Sequence, residues 1–198
     1  MRCNDCEDSF CMDGINCYDK EIRTYAENEI RKEENLNFYI TSTELEVDAY
    51  MKLPRVLELI EFSKRMNYKK LGIASCVGLK NESQVITDLL QEKGFEVSLA
   101  ICKTCGIGKG DFGVTKTLSG KLSESSCNPV GQAKLLEKEG TEFNIVVGLC
   151  VGHDSLFIKY SKAPTTVLIV KDRVLAHNPV GAIYSNYWIK KIKNYKLE

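Results

Sequence analysis

From about residue 70 onward, short apolar runs alternate with segments whose apolar residues recur every three or four positions. The short runs are typical of buried strands, and the period between them predicts a helix in each connection. The predicted strands are Leu71–Cys76, Phe95–Cys102, Asn144–Cys150 and Thr165–Lys171. The predicted helices between them are Asn81–Lys93, Pro129–Glu139 and His153–Lys162. A strand, a helix and a second strand in this order form a right-handed crossover between parallel strands, so the pattern predicts an α/β fold.

We expect a three-layer α/β domain built on a mostly parallel, doubly wound sheet. In the strand order 2-1-3-4, the first and third strands are neighbours, and the helices that follow them leave to opposite faces. This order places Cys76 and Cys150, each followed by Val-Gly, on either side of the crevice where such sheets bind ligands.

The segments that flank the predicted sheet are charged, helical or rich in turn residues. The helices predicted upstream cover Asp19–Glu34, 36–51 and 53–67. Downstream, Asp172-Arg173 predicts a tight turn into a hairpin strand at 174–176, and 186–198 predicts a terminal helix. The expected parts are a cysteine-rich metal knuckle at 1–17, a helical segment at 18–67 and a Rossmann-like α/β domain at 68–198.

The composition is that of an ordinary globular protein, apart from its cysteines. Basic and acidic residues balance at 27 each in 198 residues, so net charge favours neither nucleic acid nor an anionic membrane as a partner. No apolar run approaches the roughly 18 residues of a membrane helix, and the amino terminus lacks the apolar region of a signal peptide. We therefore expect a cytoplasmic protein. In that reducing compartment, its nine cysteines are not expected to form a disulfide framework.

Four cysteines fall in a short polar segment at the amino terminus, at Cys3, Cys6, Cys11 and Cys17. The segment has too few apolar residues to fold around a core, and a metal held by four thiolates would order it. Cys3 and Cys6 have the spacing that binds one side of such an ion, and the later pair would close the loop. Zinc and a four-iron cluster both suit this segment, and a flexible, redox-sensitive tail is the alternative.

Four more cysteines lie at the predicted carboxyl edge of the sheet, at Cys76, Cys102, Cys127 and Cys150. Thiolates are the soft ligands that zinc and iron–sulfur clusters prefer, so these four are the predicted metal ligands of the cleft. Cys105 is a substitute ligand or a neighbour. Gly78 and Gly152, one on each side of the crevice, would let the backbone come close to a cluster or an anion.

Cys150 and His153 are the candidate catalytic residues if the chain is an enzyme. His153 would ligate a metal or transfer a proton, with Asp154 to orient it, but helix capping explains the same two residues equally well. A Cys–His pair would make the chain a cysteine-nucleophile enzyme. The Cys102-x2-Cys105 motif offers a poorer redox alternative, because a Gly-rich loop follows it instead of a helix.

Several motifs resemble a family of uncharacterised, cysteine-rich proteins of anaerobic bacteria and archaea that are described as metal-binding. They are GIASCVGL (72–79), SLAICK (98–103), CNPVGQAKLL (127–136) and VVGLCVGHDSLFIKYSKAPTTVLIVKDRVLAHNPVGAIY (146–184). The amino-terminal CxxC cluster is also similar to the family's. The resemblance implies cleft roles for Cys76, Cys102, Cys127, Cys150 and His153, and it makes Asn178 and Pro179 part of a family motif. It does not extend to Cys105, and it implies metal binding without naming a reaction.

The sequence therefore predicts a metal-binding protein with zinc or an iron–sulfur cluster at the carboxyl ends of the strands. An incompletely ligated metal would act there as a Lewis acid toward a small-molecule ligand. The alternative is a cysteine-nucleophile or redox enzyme that acts on a small molecule.

Overall fold

The computed structural model describes residues 2–196. By contacts within the chain, these residues form two compact units, Met1–Pro54 and Arg55–Glu198, of which Met1, Leu197 and Glu198 lie outside the described residues. No helix among the described residues is long and apolar enough to cross a membrane.

The second unit is built on a four-stranded sheet in the order β2-β1-β3-β4, with every neighbouring pair parallel. Its strands are β1 (Lys70–Ser75), β2 (Glu96–Ile101), β3 (Phe143–Val147) and β4 (Thr165–Ile169). The two central strands carry the core: β3 is buried throughout, as is β1 from Leu71 onward, whereas β2 and β4 are partly exposed. The predicted α/β fold and strand order are confirmed.

Helices connect these strands. They are α4 (Lys80–Glu92), α5 (Pro129–Lys138) and α6 (His153–Tyr160), and α3 (Arg55–Arg65) precedes β1. Right-handed crossovers in this strand order put α4 on one face of the sheet and α5 and α6, which contact each other, on the other face. Helix α3, which the sequence analysis assigned to the helical segment, belongs to the second unit. Its Phe62 ring lies 5.3 Å from that of Phe143 on β3.

The first unit contains α1 (Lys20–Ile30) and α2 (Glu33–Ala49), preceded by short 3-10 turns at Cys3–Asp5 and Phe10–Asp13. Ser42 and Thr43 are residue types that weaken the prediction of a helix here. Their hydroxyls donate hydrogen bonds to the carbonyls of Phe38 and Tyr39 one turn earlier. That local hydrogen bonding lets hydroxyl side chains remain within a helix.

The segment after β4 differs from the prediction. The predicted hairpin strand at 174–176 is wrong, because the Asp172 carboxylate accepts hydrogen bonds from the amides of Val174 and Leu175 and turns the chain. The predicted terminal helix at 186–198 begins at Asn186 and ends earlier, as α8 (Asn186–Lys193), and a short helix that was not predicted, α7 (Val180–Tyr184), precedes it. The last two residues of that predicted helix lie outside the described residues.

Candidate functional site

Three backbone hydrogen bonds bring Cys76, Cys102 and Cys127 to one edge of the sheet. The Cys76 amide donates to the carbonyl of Val147 at 3.1 Å, and the Cys102 amide donates to that of Ser75 at 2.8 Å, so both cysteines directly extend their strands. The amide of Asn128 donates to the Cys102 carbonyl at 2.7 Å. Cys127 is therefore held beside the end of β2.

The sulfur atoms of Cys102 and Cys127 lie 3.8 Å apart. Cys102 and Cys76 are only 2% and 7% exposed, and Cys127 is half-buried. Two backbone amides point at sulfur: Val77 donates to Cys102 at 3.4 Å, and Gly78 donates to Cys76 at 3.4 Å. Amide donors stabilise a sulfur atom that carries negative charge.

Cys150 lies beyond β3 and interacts with a residue that the sequence analysis did not identify. The Arg173 guanidinium donates a hydrogen bond from Nη2 to the Cys150 sulfur at 3.2 Å. That hydrogen bond and the charge of Cys150 raise the pKa of Arg173, with smaller contributions from Cys76 and Cys127. Arg173 is thus within electrostatic range of three of the four cleft cysteines.

The Cys102–Cys127 pair shares its protons unequally. The hydrogen bond between the two thiols lowers the pKa of Cys127 to about 5, although burial acts in the opposite direction. The charges of Lys103 and His153 lower this pKa further. The same hydrogen bond and burial raise the pKa of Cys102. Cys127 is therefore the more acidic thiol of the pair, and Cys102 is the one that tends to keep its proton.

Asp154, in the first turn of α6, binds backbone amides at the start of that helix. The Asp154 carboxylate accepts hydrogen bonds from the amides of Gly152 at 3.0 Å and Ser155 at 2.7 Å. Gly152 has φ +86°, a conformation that favours glycine, and it opens α6. His153 is half-buried, and its charge contributes to the lowered pKa of Cys127.

The second predicted glycine, Gly78, lies in the crevice. A β-carbon added to it would lie 3.6 Å from the Lys171 ammonium nitrogen and 3.8 Å from the Cys76 sulfur. Lys171 follows β4, so its side chain reaches past the end of β3 to the loop after β1.

Cys105 is exposed and has φ +68°. His177 accepts a hydrogen bond from the Asp172 amide within the turn after β4.

The amino-terminal cysteines belong to the first unit, and all four are exposed. The Cys3 sulfur is 2.7 Å from the Tyr18 hydroxyl, and this hydrogen bond raises the pKa of Tyr18 to about 12. The pKa of Cys17 is raised, first by partial desolvation and then by the charge of Cys11 and a hydrogen bond with it. Cys6 has a smaller effect in the same direction. The four thiols are therefore close enough to influence one another.

No group of three or more His, Cys, Asp or Glu side chains within residues 2–196 is already arranged to hold a metal ion. The Cys102 and Cys127 sulfurs are separated as two ligands of one ion would be, while the Cys150 sulfur accepts a hydrogen bond from Arg173.

Sequence reasoning missed Arg173 and Lys171, although their position after a parallel strand places them at the same carboxyl edge. It also missed Gln132, which is fully buried on α5 and donates to the carbonyls of Ser75 and Ala100.

Residues 15–168 match the model of a family described as Protein of unknown function (DUF1847). The chain belongs to this family. The matched range includes all four cleft cysteines, whereas Cys3, Cys6 and Cys11 precede it. Uncharacterized protein MJ0455 of Methanocaldococcus jannaschii is 50% identical over 192 residues, which cover 97% of this chain and 98% of that protein. The resemblance to an uncharacterised family found in archaea is thus confirmed.

A crystal structure of Dph2 from Pyrococcus horikoshii is also similar, with a TM-score of 0.38 and 21% identity. The match covers 70% of this chain and 32% of that one, so this chain spans about a third of the length of Dph2. A likeness at this level does not indicate function.

Proposed function

We propose that this protein binds a metal centre, zinc or an iron–sulfur cluster, through Cys76, Cys102, Cys127 and Cys150. The separation of the Cys102 and Cys127 sulfurs, 3.8 Å, is the observation that supports it most directly. Two sulfurs bound tetrahedrally to one ion, at zinc–sulfur bonds of about 2.3 Å, lie about 3.8 Å apart. The pair is therefore spaced as two ligands of one tetrahedral ion.

The chemistry of the donors fits a metal as well. Thiolates are the ligands that zinc and iron–sulfur centres require, and Cys127 is already deprotonated at neutral pH. The amides of Val77 and Gly78 donate to two of the sulfurs, and hydrogen bonds of this kind tune metal–thiolate centres. A bound metal would supply Lewis-acid chemistry or electron transfer, and Arg173 would orient the Cys150 sulfur.

We propose a second centre at Cys3, Cys6, Cys11 and Cys17 in the first unit. Cys6 and Cys11 both affect the pKa of Cys17, and Tyr18 contacts Cys3. These interactions support a segment organised around its thiols.

Nine free cysteines also favour a reducing compartment, and we place the protein in the cytoplasm on that ground.

A cysteine-nucleophile enzyme is the second candidate function. The lowered pKa of Cys127 supports it, because a thiolate held near Lys103 and His153 has the surroundings of a reactive cysteine. In this function the Cys127 thiolate would form a bond to an electrophilic atom of a small molecule as the bond to the leaving group breaks, and a protonated His153 would donate its proton to that leaving group. The Cys150–His153 pair of the sequence analysis remains a prediction.

Metal and sulfide analysis of the full-length protein, purified without oxygen, tests the proposal. We expect metal in both centres. Cys102→Ser should remove the cleft metal and leave the amino-terminal one, whereas Cys6→Ser should do the reverse, which makes each variant the control for the other. Wild-type protein that contains no metal and takes up neither zinc, cobalt(II) nor an iron–sulfur cluster would refute metal binding. The thiolate of Cys127 would then favour nucleophilic chemistry.

A further inference from the structure

The segment after β4 forms a closed turn that carries two cations to the cysteine edge. The Asp172 amide donates to the His177 ring at 3.1 Å, and the His177 amide donates back to the Asp172 carbonyl at 2.8 Å. Ala176 and His177 have φ values of +50° and +63°, which non-glycine residues adopt only under constraint. The turn holds Lys171 and Arg173 on the side of the thiols.

Neither cation is neutralised by a carboxylate. Within the part of the chain that the structure describes, Lys171 and Arg173 form no ion pair with Asp or Glu. Two acidic residues of this region bind backbone amides instead: Asp172 accepts from the amides of its own turn, and Asp154 accepts from those of Gly152 and Ser155. The partners of the two cations at this edge are therefore sulfur atoms and not carboxylates.

Arg173 has hydrogen-bonding capacity to spare. A guanidinium carries five N–H donors in a planar fork that matches carboxylate and phosphate oxygens. One donor is directed to Cys150, and the exposed side chain leaves other donors accessible. A partner for the Cys150 sulfur alone would not need this fork.

Lys171 and the loop after β1 supply the opposite wall. The Lys171 ammonium is 3.6 Å from the place that a β-carbon on Gly78 would occupy, and the Cys76 sulfur is 3.8 Å from the same place. Because Gly78 has no side chain, that space next to a cation and a thiol is open. It lies at the crevice between β1 and β3, where parallel sheets bind small molecules.

We infer that the cysteine edge binds a small molecule through an oxyanion group, a carboxylate or a phosphate, held between the Lys171 ammonium and the Arg173 guanidinium. The inference rests on the proposed function, since it names the chemical class of ligand that lies beside the cysteine centre. The binding step itself uses only protein donors.

Anion titration of the full-length protein, followed by the backbone amide NMR signals of residues 76–79, tests the inference. Inorganic phosphate and acetate are the probes, with sodium chloride used to keep ionic strength constant, and they distinguish a phosphate from a carboxylate ligand. Protein is titrated as purified and after metal removal, and its metal content is measured. We expect saturable shifts with at least one probe in both samples.

Variants assign the binding to the two cations. Arg173→Gln and Lys171→Gln should each weaken binding about 10- to 100-fold, as expected for a lost charge-assisted hydrogen bond. Arg173→Lys keeps the charge without the fork and should fall between wild type and Arg173→Gln. Lys190→Gln, which removes an exposed lysine of α8, is the matched control and should bind like wild type.

Three results would overturn the inference. The first is the absence of a saturable response to either probe, and the second is equal anion affinity in all variants. The third is a loss of metal from the Lys171 and Arg173 variants that still bind the anion normally, which would make both residues counter-charges of the metal centre. Wild-type protein that contains no metal as purified, takes up none and still binds the anion would refute the proposed metal centre and leave the anion site standing.

Discussion

The pH dependence of alkylation at Cys127 tests the charge state on which both candidate functions depend. In the folded protein the pKa of Cys127 is lowered to about 5, first by its hydrogen bond with Cys102 and then by Lys103 and His153. The ordinary value is 9.0, which the unfolded chain should show. Because the folded pKa is the lower one, the thiolate persists in the folded protein as the pH falls from 9.0, and it is lost only near 5.

The expected magnitude follows from the fraction of thiolate. Between about pH 8 and pH 6 a thiol of pKa 9.0 loses about 90-fold in thiolate, whereas one of pKa about 5 loses about 10%. A thiolate of lower pKa is also less nucleophilic, and burial slows every reagent, so the absolute rate is a poor criterion. Neither effect changes with pH, and the slope of the rate against pH therefore isolates the ionisation.

Mass spectrometry can follow Cys127 alone, because tryptic cleavage at Lys121 and Lys134 leaves it as the single cysteine of its peptide. Metal-free protein is pulsed with iodoacetamide from about pH 5.5 to 8.5, with circular dichroism to confirm folding and urea-unfolded protein as reference. We expect a nearly flat profile in the folded protein. Cys102→Ala should raise the midpoint toward 9.0, because the largest cause of the lowered pKa is then lost. A folded profile as steep as that of the unfolded chain would refute the assigned charge.

Three further predictions concern packing and the surroundings of the thiols. Gly72→Ala should lower the free energy of unfolding by about 1–3 kcal/mol, since its β-carbon would collide with the buried Asn144 side chain, and unchanged urea unfolding would contradict this. Gln132→Leu should cost about 1 kcal/mol in the same assay, because the carbonyls of Ser75 and Ala100 each lose a donor, although Ser75 keeps the Cys102 amide and a buried, unpartnered Gln132 oxygen is removed, and it should weaken metal binding in a chelator competition. Tyr18→Phe should weaken metal binding at the amino-terminal centre about 10- to 100-fold through the lost contact to Cys3, and equal affinity would place Cys3 outside that centre.

The sheet could be predicted from the sequence because its signals are local and repeated. Each strand is a short apolar run, each connection has a helical period, and the crossover rule then restricts the order of the strands. The turn after β4 could not be predicted in the same way. Val174 and Leu175 are ordinary strand residues, and only the Asp172 carboxylate, bonded to both of their amides, diverts the chain into a turn.

For the site, the sequence could indicate which cysteines share an edge but not how their sulfurs face one another. Cys76 and Cys102 each follow a strand, so parallel pairing alone places them together. The 3.8 Å contact of Cys102 with Cys127 depends on the long loop between them and on side-chain rotamers, which leave no periodic signal. The role of Arg173 was hidden for a related reason, because it lies within the turn, which the hydrophobic pattern had suggested was part of a hairpin.

The surroundings of the cleft cysteines argue against thiols that merely fill space. A neutral buried thiol needs no charged partner, yet here two amides and the Arg173 guanidinium donate to sulfur atoms. Donors of this kind stabilise sulfur anions, which favours the proposal that this edge uses thiolates. The remaining proton on Cys102 separates the two candidate functions. A metal that binds both sulfurs must displace it, because only thiolates ligate, whereas a nucleophilic Cys127 depends on it for the hydrogen bond that keeps its pKa low.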